Sequence, residues 1–390
     1  MREVVIVDGV RSPIAKAGKK SYYANLRADE LGARVLKGLV KRTGINPEEI
    51  EDLVYGASYQ FKDQGQDLAR QTALVSGLSL NIPGTTVERF CAGGLQAVQF
   101  ATAQIMAGWA DCIVAGGTQH MTHLPMNSGR ELHPHLGDFM DIRASAMAWT
   151  AEFIGKEKNI SRTEQEEYAV WSHQKAVKAT REGKFKNEII PIEADIPQSD
   201  GSTVRRVVDT DQGPRPDTSM ESLAQLKPVL ADDPTAVITA GTASQTSDAS
   251  AAALIMTKDK AEQLGLKPRL KLLSFAAKGF DPRYTMMGPV YTIPLALARA
   301  GLRKEDIDVW EINEAFAVQS IICMRELGVP REKLNMWGSG ISLGHPLGCT
   351  GARMTVTLMN ILDDVDGRYG IVSMCAAYGH GAAAVFERIK

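Results

Sequence analysis

Cys91-Ala92-Gly93-Gly94 and Cys349-Thr350-Gly351-Ala352 are variants of one short motif, and the second lies 258 residues after the first. Working outward from that pair, the flanking sequence matches as well. Upstream, Thr43-Gly44-Ile45-Asn46-Pro47-Glu48-Glu49-Ile50-Glu51-Asp52 reads like Ala300-Gly301-Leu302-Arg303-Lys304-Glu305-Asp306-Ile307-Asp308-Val309, with Gly301 257 residues after Gly44. Downstream, Cys112-Ile113-Val114-Ala115 echoes Gly370-Ile371-Val372-Ser373, again at 258. Three matches at nearly one offset describe a duplicated chain. The register then breaks. Ser250-Ala251-Ala252-Ala253-Leu254-Ile255 resembles Gly381-Ala382-Ala383-Ala384-Val385-Phe386 at an offset of only 131, so the first copy carries an insertion of about 127 residues, 258 less 131. The expected organisation is a first half at 1–117 with 249–268, an inserted unit at 118–248, and a second half at 269–390.

Within each half, strand and helix signals alternate. Val4-Val5-Ile6-Val7, Ile113-Val114-Ala115 and Ile371-Val372-Ser373 are short apolar runs of the buried-strand kind. Glu30–Val40, Leu95–Ala107 and Met354–Leu362 carry apolar residues at helical spacing. Two such halves imply an α/β fold of sheets covered by helices. The 390 residues exceed what one core usually holds. A formal net charge of −2 gives no basic surplus for nucleic acid or an anionic membrane surface. No stretch is apolar for long enough to span a bilayer, and Met1-Arg2-Glu3 before Val4–Val7 does not read as a secretory signal. The odd count of five cysteines, without metal-ligand spacing, favours free thiols in a reducing, cytoplasmic compartment.

The chemistry-bearing residues sit at the ends of these elements. Cys91 stands between Val87-Glu88-Arg89-Phe90 and the helical run from Ala92, where helix N-terminal amides and the dipole would lend it thiolate character. The small residues after it allow another element to approach closely. His345, in Gly344-His345-Pro346, occupies the matching turn of the second half. If the halves pack about a pseudo-two-fold axis, that turn faces Cys91 and brings an imidazole to a thiol. Its motif counterpart Cys349 then reads as a packing residue. Asn313, in Asn313-Glu314-Ala315-Phe316-Ala317, follows a strand and is placed to hold a water or a carbonyl. Cys375 ends another strand and is a candidate general acid/base, or a buried thiol.

Together these four motifs resemble the thiolase family, in its order and spacing, over essentially the whole chain. The resemblance implies an α-β-α-β-α sandwich of two duplicated β/α halves with an inserted loop domain that binds CoA. It implies a ping-pong reaction in which Cys91 attacks a 3-ketoacyl-CoA, His345 takes its proton, and Cys375 protonates the departing acetyl-CoA enolate. His345, with a water held by Asn313, would serve the thioester oxygen, and the backbone amides of Cys91 and Ala377 the acyl-cysteine oxygen. Position by position, Arg215 falls to the nucleotide end of CoA. Ser222 and Ser244 fall to its polar contacts, and Met147, Ala240, Ala315 and Phe316 to the pantetheine tunnel. CoA is thus a substrate, with no permanently bound cofactor or metal. The family also implies a homodimer or homotetramer, with a dehydrogenase or hydratase of the same pathway as a possible partner.

Several positions depart from the family pattern. Ala377-Tyr378 stand where it usually has glycines, and Glu88 where it has Asn. Gln119-His120 replace Glu-Ser, Ala146 a histidine, and Thr285 a methionine that narrows the acyl pocket. The last two favour a degradative 3-ketoacyl-CoA thiolase over a short-chain acetoacetyl-CoA enzyme. A catalytically silent CoA-binding paralogue and a decarboxylating ketoacyl synthase are the readings from other classes. The histidines at 120, 123, 133 and 135 match no metal-ligand spacing; His120 is expected near substrate.

Overall fold

The computed structural model describes residues 2–390. The duplication is visible in its strands. In the first half they are β1 (Val4–Arg11), β2 (Asp52–Gly56), β3 (Cys112–His120) and β4 (Ser247–Thr257). In the second they are β5 (Leu270–Gly279), β6 (Val309–Ile312), β7 (Tyr369–Ala376) and β8 (His380–Arg388). The sheet runs β6-β7-β8-β5-β1-β4-β3-β2 and ends on the short strand Thr85–Val87. Each half repeats one pattern. β2 and β3 are parallel, as are β6 and β7. β4 pairs antiparallel with β3 and β1, and β8 does so with β7 and β5. The halves join where Ile6 pairs with Leu270.

Helices cover both faces. Outside the first half lies α1 (Ala28–Thr43), and α2 (Gly93–Ala107) follows the Cys91 turn. In the insertion come α3 (Met147–Glu157) and α4 (Arg162–Arg181). The second half adds α5 (Gly288–Ala300), α6 (Ala317–Leu327) and α7 (Leu347–Asp364). α2 and α7 pack on each other and on strands of the sheet, and α7 touches strands of both halves. They form the central layer. Strand alternation divides the core accordingly: Ile113 and Ala115 join the central cluster, whereas Cys112 and Val114 join the one under α1. Burial of side chains such as Ile113, Ile255 and Ile371 contributes about 1.5–3 kcal/mol each.

The first sequence match has a local cause. Gly44 and Gly301 are the left-handed C-caps of α1 and α5, at φ 69° and 68°, a conformation glycine adopts without a Cβ clash. The anticipated close approach is also present. A Cβ on Gly94 would stand 2.7 Å from the Ala352 amide nitrogen, and one on Gly351 2.3 Å from that of Leu95. One expectation shifts by a residue. Cys112 pairs with Met256 and Gly370 with Phe386, so β4 and β8 correspond at an offset of 130 (386 less 256), not 131. Runs of alanine are interchangeable side chain for side chain, so they carry little register information.

Between β3 and β4 the chain leaves the sheet. A buried charge cluster fixes its return: Arg11 Nε donates to Glu188 Oε1 at 2.6 Å, while Nη1 and Nη2 donate to the two Asp211 oxygens at 2.7 and 2.8 Å. Thr357 and Asn360 of α7 donate to the same Glu188 carboxylate. The strand β1, the excursion and the central helix are thereby tied at one point.

Candidate active site

Cys91 lies in the single tight turn Phe90–Ala92 that leads into α2. Phe90 takes a left-handed backbone, φ 46°, and the Glu88 carboxylate accepts from its amide at 2.9 Å and from that of Tyr59 at 3.1 Å. Cys91 is 5% exposed, packed with Met121 and Leu347. The sequence suggested a thiolate favoured by the helix N-terminus. Instead, burial pushes the Cys91 thiol up to about 12, with the Glu88 charge adding to it. Desolvation of the anion outweighs the stabilisation a helix end gives within its first turn. Cys91 therefore rests as a thiol, and any attack by its sulfur would have to release that proton.

His345 is the candidate base. Its ring is buried, with Nδ1 2.7 Å from Thr350 Oγ1 and Nε2 3.3 Å from Asn313 Nδ2. An amide nitrogen can only donate, so in this arrangement Nε2 accepts and the ring proton sits on Nδ1, toward Thr350. Burial, reinforced by the Arg353 charge, lowers the imidazole to about 3, which leaves it neutral near pH 7. The contacts continue. Gln319 Nε2 donates to the Asn313 carbonyl at 2.9 Å, and Cys375 Sγ donates to Gln319 Oε1 at 3.3 Å. Thr350, His345, Asn313, Gln319 and Cys375 therefore form one chain. Burial, then the proximity of Cys91 and Cys323, holds the Cys375 thiol well above its ordinary range.

A cavity of about 790 Å³ opens onto this chain. Among its walls are Cys91, His345 and Ala377, together with Met147, Ser244, Ala315 and Phe316. The Ser244 amide donates to the Ala315 carbonyl at 2.9 Å, so the insertion and the β6–α6 connection form one wall. Asn313 and Cys375 lie buried behind the surface rather than on it.

Three of the expected CoA residues lie outside this cavity. Arg215 is exposed and lines a separate cavity with His173 and Arg181. The Ser222 hydroxyl is engaged in its own helix cap, donating to the Ser219 carbonyl at 2.9 Å and accepting from the Ser219 amide. Ala240 is exposed and not on the main cavity. Their sequence neighbourhoods match, but loop geometry decides where such side chains point.

His120, expected near substrate, is instead fully buried away from the cavity, with Nε2 2.9 Å from the Tyr23 carbonyl. Its ring stacks on His123, which pairs with Asp63 at 2.7 Å. His120 is the last residue of β3, and its ring turns toward the loop at Tyr23 that covers the strand end. No group of three or more His, Cys, Asp or Glu among the described residues is arranged to hold a metal ion.

Sequence reasoning missed Gln319 and Thr350, each within a few residues of a named motif. It also missed the Glu314 network, in which the carboxylate accepts from Tyr168 at 2.9 Å, Ser172 at 2.6 Å and Asn335 at 3.0 Å. A glutamate in a buried apolar stretch was the available signal, since a buried charge requires partners.

Comparison with known proteins agrees with this geometry. The thiolase N-terminal domain matches residues 4–259, and the thiolase C-terminal domain residues 266–388. The chain is 44% identical to a 3-ketoacyl-CoA thiolase of Vibrio parahaemolyticus, over 99% of this chain and 98% of that protein. It is 43% identical to one from Vibrio vulnificus, with both chains fully covered. A crystal structure of the Bacillus anthracis acetyl-CoA acetyltransferase superposes with a TM-score of 0.90 at 35% identity, covering 100% of this chain and 99% of that one.

Proposed function

The chain belongs to the thiolase family and is an acyltransferase, and on that premise we propose that it cleaves 3-ketoacyl-CoA with CoA, giving acetyl-CoA and a shortened acyl-CoA. The observation that carries this reading is the hydrogen-bonded run from Cys375 through Gln319 and Asn313 to His345, ending at the cavity that also holds Cys91.

In this reading Cys91 Sγ attacks the keto carbon as its proton passes to His345 Nε2. The carbon–carbon bond breaks, leaving the acyl group on Cys91 and an acetyl-CoA enolate that takes the Cys375 proton. The incoming CoA thiol gives its proton to the Cys375 thiolate and attacks the acyl-cysteine. Cys91 leaves and recovers its proton from His345, so both sulfurs and the imidazole return to their starting states. His345 with Asn313 serves the thioester oxygen, and the Cys91 and Ala377 amides the acyl-cysteine oxygen. The wall of Met147, Ser244, Ala315 and Phe316 takes the pantetheine arm, and residues 118–248 act as the CoA-holding unit. Arg215, Ser222 and Ala240 are assigned to CoA with family resemblance as their only support.

No described helix is long and apolar enough to cross a membrane. Five free cysteines support a cytoplasmic location, and family resemblance supports a homodimer or homotetramer acting in fatty-acid breakdown. The test is CoA-dependent loss of the 3-ketoacyl-CoA enolate absorbance with substrates of increasing chain length. Turnover that disappears in Cys91→Ala is the expected result. Turnover confined to acetoacetyl-CoA would mark a short-chain enzyme. No turnover on any chain, with Cys91 unreactive to thiol reagents, would mark a silent CoA-binding relative.

A further inference from the structure

Two bulky residues flank the proposed nucleophile in a backbone conformation that favours glycine. Phe90 has φ 46° and Tyr378 φ 65°. A large side chain in the left-handed region is strained, and it persists only where surrounding contacts hold it. Here the contacts are mutual. The two rings stand 5.5 Å apart between centroids, tilted by 41°, and the His380 ring backs Phe90 at 6.1 Å. The Gly379 amide, next in the chain, donates to Thr285 Oγ1 at 3.0 Å, which fixes the turn carrying Tyr378.

Both rings line the cavity beside Cys91. They pack against each other, whereas the Ser244–Ala315 contact lines the cavity through the insertion and the β6–α6 connection. Tyr59 lines the same cavity, with its hydroxyl 3.9 Å from Met126 Sδ. With the pantetheine arm assigned to the Ser244–Ala315 wall, the ring pair next to Cys91 is placed to meet the acyl chain that the sulfur would carry. Side chains that fill space at the cost of backbone strain narrow the passage there, and exclusion by steric bulk is a means of discriminating between substrates.

Building on the proposed thiolase reaction, we propose that the Phe90–Tyr378 ring pair is a specificity-determining wall that restricts the enzyme to unbranched acyl chains. The ring, not the phenol hydroxyl, carries the effect, because the exclusion is steric.

The experiment compares kcat/KM for straight-chain 3-ketoacyl-CoAs with methyl-branched and phenyl-terminated ones of equal length, using the full-length protein. In Tyr378→Gly, which suits the left-handed backbone, the ratio of bulky to straight substrate should rise about tenfold, the scale set by a methylene or two in an apolar pocket. Tyr378→Phe should leave the ratio within about twofold. Phe90→Ala should move it in the same direction as Tyr378→Gly, and it serves if the glycine variant fails to fold. A ratio unmoved in Tyr378→Gly and Phe90→Ala, while the wild type cleaves straight chains, overturns the wall alone. A ratio shifted equally by Tyr378→Phe also overturns it, since only the hydroxyl is lost there. A wild type that cleaves no 3-ketoacyl-CoA overturns the functional reading and this inference with it.

Discussion

Cys91 and Cys349 occupy matching places in the two halves, and burial pushes both thiols up to about 12. One stands on the wall of the large cavity, whereas the other is fully enclosed in the central core. Acidity therefore does not distinguish them; access and neighbours do. The first turn carries a strained Phe90 and lines the same cavity as His345. In the second, the polar residues belong to the partner turn's chemistry, because Thr350 beside Cys349 holds the His345 ring. In the proposed reaction the duplicated scaffold forms one site by dividing labour between its copies.

The largest effect should separate the two cysteines directly. Cys91→Ala is expected to lower kcat by at least about 10³-fold, the scale of losing a covalent nucleophile. Cys349→Ala should leave it within a few-fold; equal losses in steady-state thiolysis would erase the contrast. Next comes the anchoring of the insertion against β1. Arg11→Met leaves two buried carboxylates without their guanidinium and should cost about 3–5 kcal/mol in denaturant unfolding. A loss under about 1 kcal/mol would mean the cluster is not what seats the insertion.

The base sharpens the comparison through pH. The folded His345 value of about 3 lies below the 6.5 of an unperturbed histidine. Between those values the unfolded chain binds a proton that the native state refuses, so this contribution is complete above about pH 6.5 and is lost as pH falls toward 3. His345→Asn should flatten the acid side of the stability curve by up to about 1.4 kcal/mol per pH unit in that window. Parallel wild-type and variant curves would place the proton elsewhere. The smallest effect concerns the link found only in three dimensions. Gln319→Ala should reduce kcat about 10-fold or more with little change in KM, as for a positioning residue, and an effect on KM alone would detach it from Cys375.

Much of this was legible in residue order. The paired motifs at Cys91 and Cys349, and the glycine caps at Gly44 and Gly301, are local patterns whose physics acts over a few residues. Duplication made them recognisable by repetition. Asn313 and Cys375 stood out as candidates because each follows or ends an apolar strand, where a polar side chain needs a reason, and His345 because its turn matches that of Cys91 in the repeat. Gln319 was hidden, since a glutamine on a helix has many ordinary explanations until its partners are known. His120 was misplaced because its direction depends on which loop covers the end of β3.

The sequence by itself determined the two halves, the excursion between β3 and β4, and the residue types available for catalysis, because periodicity, glycine caps and strand runs are written locally. Only the tertiary structure decided which of them meet. Cys375 and Asn313 lie 62 positions apart in the chain, yet Gln319 bridges them. The protonation of Cys91 was likewise beyond the linear order, because desolvation depends on everything packed around the sulfur and not on the helix it precedes.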